Sequence, residues 1–150
     1  MLCGFYLNEL LLRMLAREDP HEGLYDAYRQ AIAALGIGSP SAPVLRRFEK
    51  ALLKELGYGM ILDRDGTTGS PIFASRDYRY DPERGPTLTT DSLPTETLFL
   101  GKTLLDIAAD NYDDPNTQQQ SKVLMRVLID YRLERQTLKS RRIFRELREL

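Results

Sequence analysis

The sequence predicts a mainly α-helical protein: a helical bundle with an irregular insert that can hold a small β-hairpin. Three observations lead there. Apolar residues recur at helical spacing from 5 to 56, and again from 102 to 135. Between about 57 and 95 that period is lost, and Gly, Pro, Asp, Ser and Thr become dense. The connections between the helical stretches are short, which favours antiparallel neighbours. A chain of 150 residues fits one domain, 1–150, and is long enough to bury a real core.

The elements follow in order. Leu7, Leu10, Leu11, Met14 and Leu15 predict a helix over 5–16, ended by Asp19-Pro20. Leu24, Tyr28, Ile32 and Leu35 share one face of a second helix over 23–35, closed by Gly36 and Gly38-Ser39-Pro40. A third helix, 43–56, is strongly amphipathic. At about 100° per residue, Val44, Leu45, Phe48, Leu52, Leu53 and Leu56 fall in one apolar sector. Arg46, Lys50, Lys54 and Arg47 form a basic stripe on the other side, with Arg46 beside Leu53 at the border. Such a border suits a partner that is both acidic and apolar. Gly57 and Gly59 bracket Tyr58, and Gly is the usual residue just past a helix end.

In the insert, Tyr78-Arg79-Tyr80 and Thr87-Leu88-Thr89 predict two short strands, with Asp81-Pro82-Glu83-Arg84-Gly85 as their turn. Helix returns over 102–111 with Leu104, Leu105 and Ala108, and Asp113-Asp114-Pro115 breaks it. A longer helix, about 118–135, is expected to turn Val123, Leu124, Val127, Leu128 and Tyr131 inward. A separate short helix is expected after Ser140, placed as its N-cap, with Ile143, Phe144 and Leu147 on its buried side.

Charge is nearly balanced overall, 21 basic against 22 acidic residues, but unevenly spread. Residues 121–150 hold nine Lys or Arg against four Asp or Glu, so an anionic partner is expected at that end. A single cysteine, Cys3, allows neither an internal disulfide nor a cysteine zinc site, and fits a reducing compartment. No apolar run approaches the roughly 18–20 residues of a membrane span. The apolar start carries Asn8, Glu9 and Arg13 and lacks a basic leader region, so a helix of the fold explains it better than a signal peptide. A cytoplasmic location is expected. Met1 to Leu7 begins directly in apolar sequence, as a terminus would that docks or follows further chain.

Catalytic chemistry finds little support. His21 is the only histidine and sits in a helix-start loop, and Cys3 has no basic neighbour to activate it. Asp106 and Asp110 share a helix face near Asp113 and Asp114, but no calcium-loop spacing follows. Asp63-Arg64-Asp65-Gly66 reads as a turn. Gly101-Lys102-Thr103 ends like a phosphate loop, but position 96, where that loop needs Gly, is Glu. No catalytic residue, metal site or cofactor is expected. The binding signals are the basic stripe of the third helix and the terminal cluster Arg135, Lys139, Arg141, Arg142, Arg145 and Arg148. Around Ser140, a helix N-terminus would add N–H groups and a dipole that favour anions.

Three ordered blocks resemble one family, the bacterial DNA repair and recombination mediator RecO. They are Gly4-Phe5-Tyr6-Leu7-Asn8-Glu9-Leu10-Leu11, then Leu45-Arg46-Arg47-Phe48-Glu49 through Leu56-Gly57-Tyr58-Gly59, then Leu138-Lys139-Ser140-Arg141 with Ile143-Phe144. Leu24-Tyr25-Asp26-Ala27-Tyr28 and Tyr78-Arg79-Tyr80 are similar to the family's second helix and insert. The chain resembles the helical C-terminal domain alone, without the family's N-terminal OB barrel. Residues 57–95 hold no cysteine, which resembles the zinc-free branch.

The resemblance implies a non-enzymatic mediator of DNA repair and homologous recombination, cytoplasmic and nucleoid-associated. It implies single-stranded DNA binding, strand annealing, and work with RecR to load RecA onto DNA coated by single-stranded DNA-binding protein. That protein's acidic, apolar C-terminal tail is expected at Arg46, Arg47, Phe48 and Leu53. Single-stranded DNA is expected, weakly without an OB fold, at Arg135, Lys139, Arg141, Arg142 and Arg145. Two other readings compete. One is a helical DNA-binding transcriptional regulator with the last two helices as a recognition pair, although Gln136-Thr137-Leu138-Lys139 lacks the Gly common in such turns. The other is a metal-dependent enzyme built on Asp106, Asp110, Asp113 and Asp114.

Overall fold

Helix α1 (Leu2–Met14) leads into α2 (Glu22–Gly36) and α3 (Ser41–Glu55), followed by strands β1 (Asp77–Asp81), β2 (Gly85–Leu88) and β3 (Phe99–Leu100). Helices α4 (Gly101–Ala108) and α5 (Pro115–Arg148) complete the chain. This computed structural model describes residues 2–15, 20–91 and 93–148, the stretch 137–148 by its backbone alone. The mainly helical class and the hairpin insert are both present. So is a third strand that sequence reasoning missed: the antiparallel sheet has order β2-β1-β3, with Tyr78 opposite Leu88 on one side and Phe99 on the other.

One core joins helices and insert. Leu7, Leu10, Phe48, Leu52, Leu53, Leu104, Leu124 and Met125 are buried together with Leu62, Ile72, Tyr78 and Phe99 of the insert. A fully buried Leu such as Leu52 contributes about 1.5–3 kcal/mol through apolar area removed from water. Two expected faces are corrected. On α2, Ile32 is 38% exposed and Leu24 and Ala31 are the buried residues. The half-buried Ala27 and Ala34 join Ala31 along the groove between α2 and α3. On α5, Val123 and Val127 are exposed, and the inward arc is Ser121, Leu124, Met125, Leu128 and Ile129. The helix carries apolar residues around much of its circumference, and packing on α3 and α4 selects that arc.

The last helix is also corrected. The backbone runs as one helix from Pro115 to Arg148, with no separate start at Ser140. No Gly or Pro lies between 136 and 140 to break it. The side chains of Ile143, Phe144 and Leu147 lie outside the described residues. The helix begins earlier than expected because Asp114 caps it, accepting Asn116 N–H at 2.8 Å, and Pro115 takes the first helical position.

Helix ends hold the bundle in register. Past α3, Gly57 adopts φ +84°, and Gly57 N–H and Tyr58 N–H return to Lys54 O and Leu53 O at 3.0 and 2.8 Å. Past α4 the left-handed residue is Asp110, φ +52°, an uncommon conformation for a side-chain-bearing residue. Asp110 N–H and Asn111 N–H bond Ile107 O and Asp106 O at 3.1 and 2.9 Å. Lys50 of α3 pins this end from outside: its Nζ donates to Ile107 O (2.9 Å), Ala108 O (3.2 Å) and Asp110 Oδ1 (3.1 Å). A cation at a helix C-terminus also complements the dipole.

Asp65 organises the insert. Its carboxylate is buried and accepts Thr67 N–H (2.8 Å) and Thr68 N–H (3.0 Å) on Oδ1 and Leu88 N–H (2.8 Å) on Oδ2. Burial alone would raise its pKa, but these backbone donors outweigh it and hold the carboxyl below its ordinary value. The expected turn is thus a clamp joining the 63–71 loop to β2. Gly66 completes the fit, since a Cβ there would strike Arg84 O.

A buried ion pair ties α1 to α3. Arg46 and Glu49 are 7% and 1% exposed. Arg46 Nη2 donates to Glu49 Oε1 at 3.0 Å, and its Nε makes a close ion-pair contact with Oε2 at 2.7 Å without hydrogen-bond alignment. Tyr6 of α1 donates its hydroxyl to the same Oε1 at 2.6 Å. Burial pushes the Glu49 carboxyl up, against the pull of Arg46 and Tyr6. Burial, then Glu49, pushes the Tyr6 phenol up.

Two outcomes test these clamps. Asp65→Ala is expected to lower the free energy of urea unfolding by about 2 kcal/mol, because it orphans three N–H donors. In the unaltered chain this contribution is full above the ordinary carboxylate value of 3.8 and is lost as pH falls through the lower folded value. An unchanged unfolding midpoint would remove the clamp. Arg46→Ala is expected to cost about 3–5 kcal/mol by leaving Glu49 buried and unpaired, and the double change Arg46→Met with Glu49→Leu to cost less. A double variant less stable than the single one would contradict that account.

Candidate binding clefts

The two arginines that sequence reasoning placed in one site open onto different clefts. Arg46 faces a cleft of about 470 Å³ between α1, α3 and α5, and Arg47 one of about 390 Å³ between α2 and α3. Phe48 lines the second cleft, its ring 6.4 Å from Tyr28 in an edge contact. Leu53 is 1% exposed and lines neither.

The α1–α3–α5 cleft combines apolar walls with cations. Leu10, Leu45, Ile129 and Leu133 supply the apolar lining, and Arg13, Arg46, Lys122 and Arg126 supply the positive charge. Arg13 is paired with Glu9 at 2.6 Å and Arg46 with Glu49. Lys122 and Arg126 stand four residues apart on α5, so they share a face. Among the described residues neither has a hydrogen-bond or ion-pair partner. Glu9, Glu49 and Asp130 are the acids on the wall, two of them already matched. The arrangement can seat a ligand that ends apolar and carries negative charge beside that end.

The α2–α3 cleft has a different character. Ala27, Ala31, Ala34, Val44 and Ala51 line it, with Gln30, Arg47 and Asp110 as its polar groups. Its cation is committed: Arg47 donates to Asp110 O at 3.1 Å and lies 5.7 Å over the Tyr112 ring. Tyr112 is buried, its hydroxyl has no partner among the described residues, and burial followed by the Asp110 charge pushes that hydroxyl's pKa up. With its one arginine held by Asp110 O and Tyr112, this cleft offers an acidic ligand less positive charge than the first.

The expected basic stripe of α3 is therefore largely committed to contacts within the fold: Arg46 holds Glu49, and Arg47 and Lys50 hold the end of α4. Arg47 and Lys54 are exposed, Lys50 is half-buried and Arg46 is buried. Arg135 of the terminal cluster is exposed, with Nε 3.8 Å from Glu83 Oε1. Lys139, Arg141, Arg142 and Arg145 stand on the backbone of α5, and their side chains lie outside the described residues. The aspartates near α4 have other tasks. Asp106 pairs with Lys102 and accepts Thr117 Oγ1, Asp110 pairs with Lys50, and Asp114 pairs with Lys102 and caps α5. Among the described residues no three His, Cys, Asp or Glu side chains gather as a metal site would require. No described helix is long and apolar enough to cross a membrane.

Sequence reasoning missed Tyr6, Glu49, Lys122 and Arg126. A signal existed for Glu49, which falls between Leu45 and Leu53 inside the apolar sector of α3, with Arg46 three residues before it. Lys122 and Arg126 lie in the basic third and become distinguishable once the inward arc of α5 is known.

The comparisons agree with this architecture. Residues 1–142 match the family model described as "Recombination protein O C terminal". The whole chain is 44% identical to the DNA repair protein RecO of Nitrosospira multiformis and covers 62% of it. It is 46% identical to the DNA repair protein RecO of an Azoarcus species, covering 63%, and 46% identical to that of Aromatoleum aromaticum, covering 62%. The chain thus spans somewhat under two thirds of the length of these relatives. A match over nearly every residue, with the helices, insert and sheet in place, leads to one conclusion: the chain belongs to the recombination protein O C-terminal family.

Proposed function

We propose that this chain is the partner-docking helical domain of a DNA repair and recombination mediator, and that it acts by binding rather than by bond-breaking. The observation that carries the reading is the α1–α3–α5 cleft, where Lys122 and Arg126, without a partner among the described residues, stand beside Leu10, Leu45, Ile129 and Leu133. The proposed occupant is the acidic, apolar C-terminal tail of single-stranded DNA-binding protein. Its apolar end enters the apolar lining, and its carboxylates meet Lys122 and Arg126. Of the four residues first expected to bind the tail, Arg46 shapes this cleft and Leu53 supports α3 from the core. Arg47 and Phe48 remain a secondary contact through the neighbouring cleft.

Single-stranded DNA is proposed for the basic end of α5, at Arg135, Lys139, Arg141, Arg142 and Arg145, with strong salt dependence. Work with RecR, strand annealing and loading of RecA belong to the same proposal, as does a cytoplasmic, nucleoid-associated location. The regulator reading loses its structural basis, because one continuous α5 replaces the two helices it needs.

Calorimetry with a synthetic peptide of acidic residues ending in Phe tests the tail site. Lys122→Ala combined with Arg126→Ala is expected to weaken binding at least about tenfold, near 1.4 kcal/mol. Arg47→Ala is expected to change it by less than about threefold. Equal affinity in all three chains would overturn the assignment.

A further inference from the structure

Glu83 lies at the tip of the β1–β2 hairpin, and its carboxylate receives three side chains from one stretch of α5. Tyr131 donates its hydroxyl to Oε1 at 2.5 Å, Arg132 Nη1 donates to the same oxygen at 3.4 Å, and Arg135 Nε stands 3.8 Å away. The receiving side is built to hold its shape. Arg132 stacks on the Tyr58 ring at 3.9 Å and Arg135 Nη1 donates to the Tyr131 hydroxyl at 3.2 Å, while the bond from Arg132 to Pro82 O at 3.0 Å belongs to the hairpin tip and adds to the latch. The presenting side is fixed too, since Asp81 Oδ1 accepts Glu83 N–H and Arg84 N–H at 2.8 and 3.0 Å. One hydroxyl and two guanidinium groups around a single oxyanion are also the donors a phosphodiester takes.

We propose that Tyr131, Arg132 and Arg135 form a phosphate receptor for single-stranded DNA, and that Glu83 occupies it until DNA displaces the hairpin tip. This rests on the nucleic-acid reading of α5 given above. Lys139 stands four positions after Arg135 on the same helix, so a strand following the basic end of α5 reaches the receptor next. Glu83 is half exposed, and ion pairs that open to solvent are weak, so displacement is accessible to a polyanion that brings several phosphates at once. The hairpin tip then works as a built-in competitor that lowers affinity for single strands. The Tyr131 hydroxyl chiefly holds the Glu83 carboxyl below its ordinary range.

Fluorescence anisotropy with labelled oligo-dT across a salt series, on the whole 150-residue chain, tests this. Glu83→Gln is expected to tighten binding about three- to tenfold at low salt, and to steepen the log K against log salt slope by about 0.7–1.4, one or two added phosphate contacts. Asp77→Asn makes the same charge change at the far end of β1 and is expected to leave the slope unaltered. Adding Arg135→Ala to Glu83→Gln is expected to abolish most of the gain. Equal gains in Glu83→Gln and Asp77→Asn, or no gain in Glu83→Gln while the unaltered chain binds, overturn the latch and leave the nucleic-acid reading standing. Binding by Glu83→Gln alone supports the latch and removes the basic end as an independent site. No binding by either chain overturns both.

Discussion

A carboxylate sealed in the interior needs a matching charge, and Glu49 obtains one from Arg46, three residues back on the same helix, and a hydroxyl from Tyr6 on the helix opposite. This three-way contact fixes α1 against α3 at one separation and one rotation, and so sets the mouth of the cleft that α5 closes. It also decides which charges face a partner. Arg46 is inside the wall of the cleft, electrically satisfied, while Lys122 and Arg126 across from it have no partner among the described residues.

Helix α3 works in both directions. On its other side Arg47 and Lys50 take up the carbonyls and the left-handed Asp110 at the end of α4. A stripe that looks like a docking surface on a helical wheel is mostly engaged in struts between helices. The insert is attached by equally specific means: Asp65 clamps its loop to β2, β3 leads directly into α4, and the hairpin tip reaches α5. The insert is part of the same packed unit and places an acidic residue against the basic helix.

Most of the fold was legible in the sequence because local chemistry determined it. The apolar period of α3 and the Gly57 stop placed that helix to within two residues, and the Asp81–Gly85 turn placed the hairpin. Strand β3 was hidden because two residues carry no period. The rotation of α5 was misjudged because Val123 and Val127 compete with Met125 and Ile129 for the inside, and only neighbouring helices choose between them. Ser140 resembled a cap, but capping chemistry starts a helix only where the preceding chain has stopped being helical. The candidate site was half legible. Charge types and their helices were readable, whereas the pairing of Arg46 with Glu49 and Tyr6 depends on a contact between residues 43 positions apart.

The central claim is that the α1–α3–α5 cleft, rather than the α2–α3 cleft, is the principal seat of the acidic tail. Methyl-resolved NMR of the chain titrated with the tail peptide tests it most directly. The account predicts saturable shifts at the methyls of Leu10, Leu45, Ile129 and Leu133, with Ala27, Ala31, Ala34 and Ala51 nearly unmoved. The reverse pattern, alanine methyls shifting while the first group stays still, would contradict it.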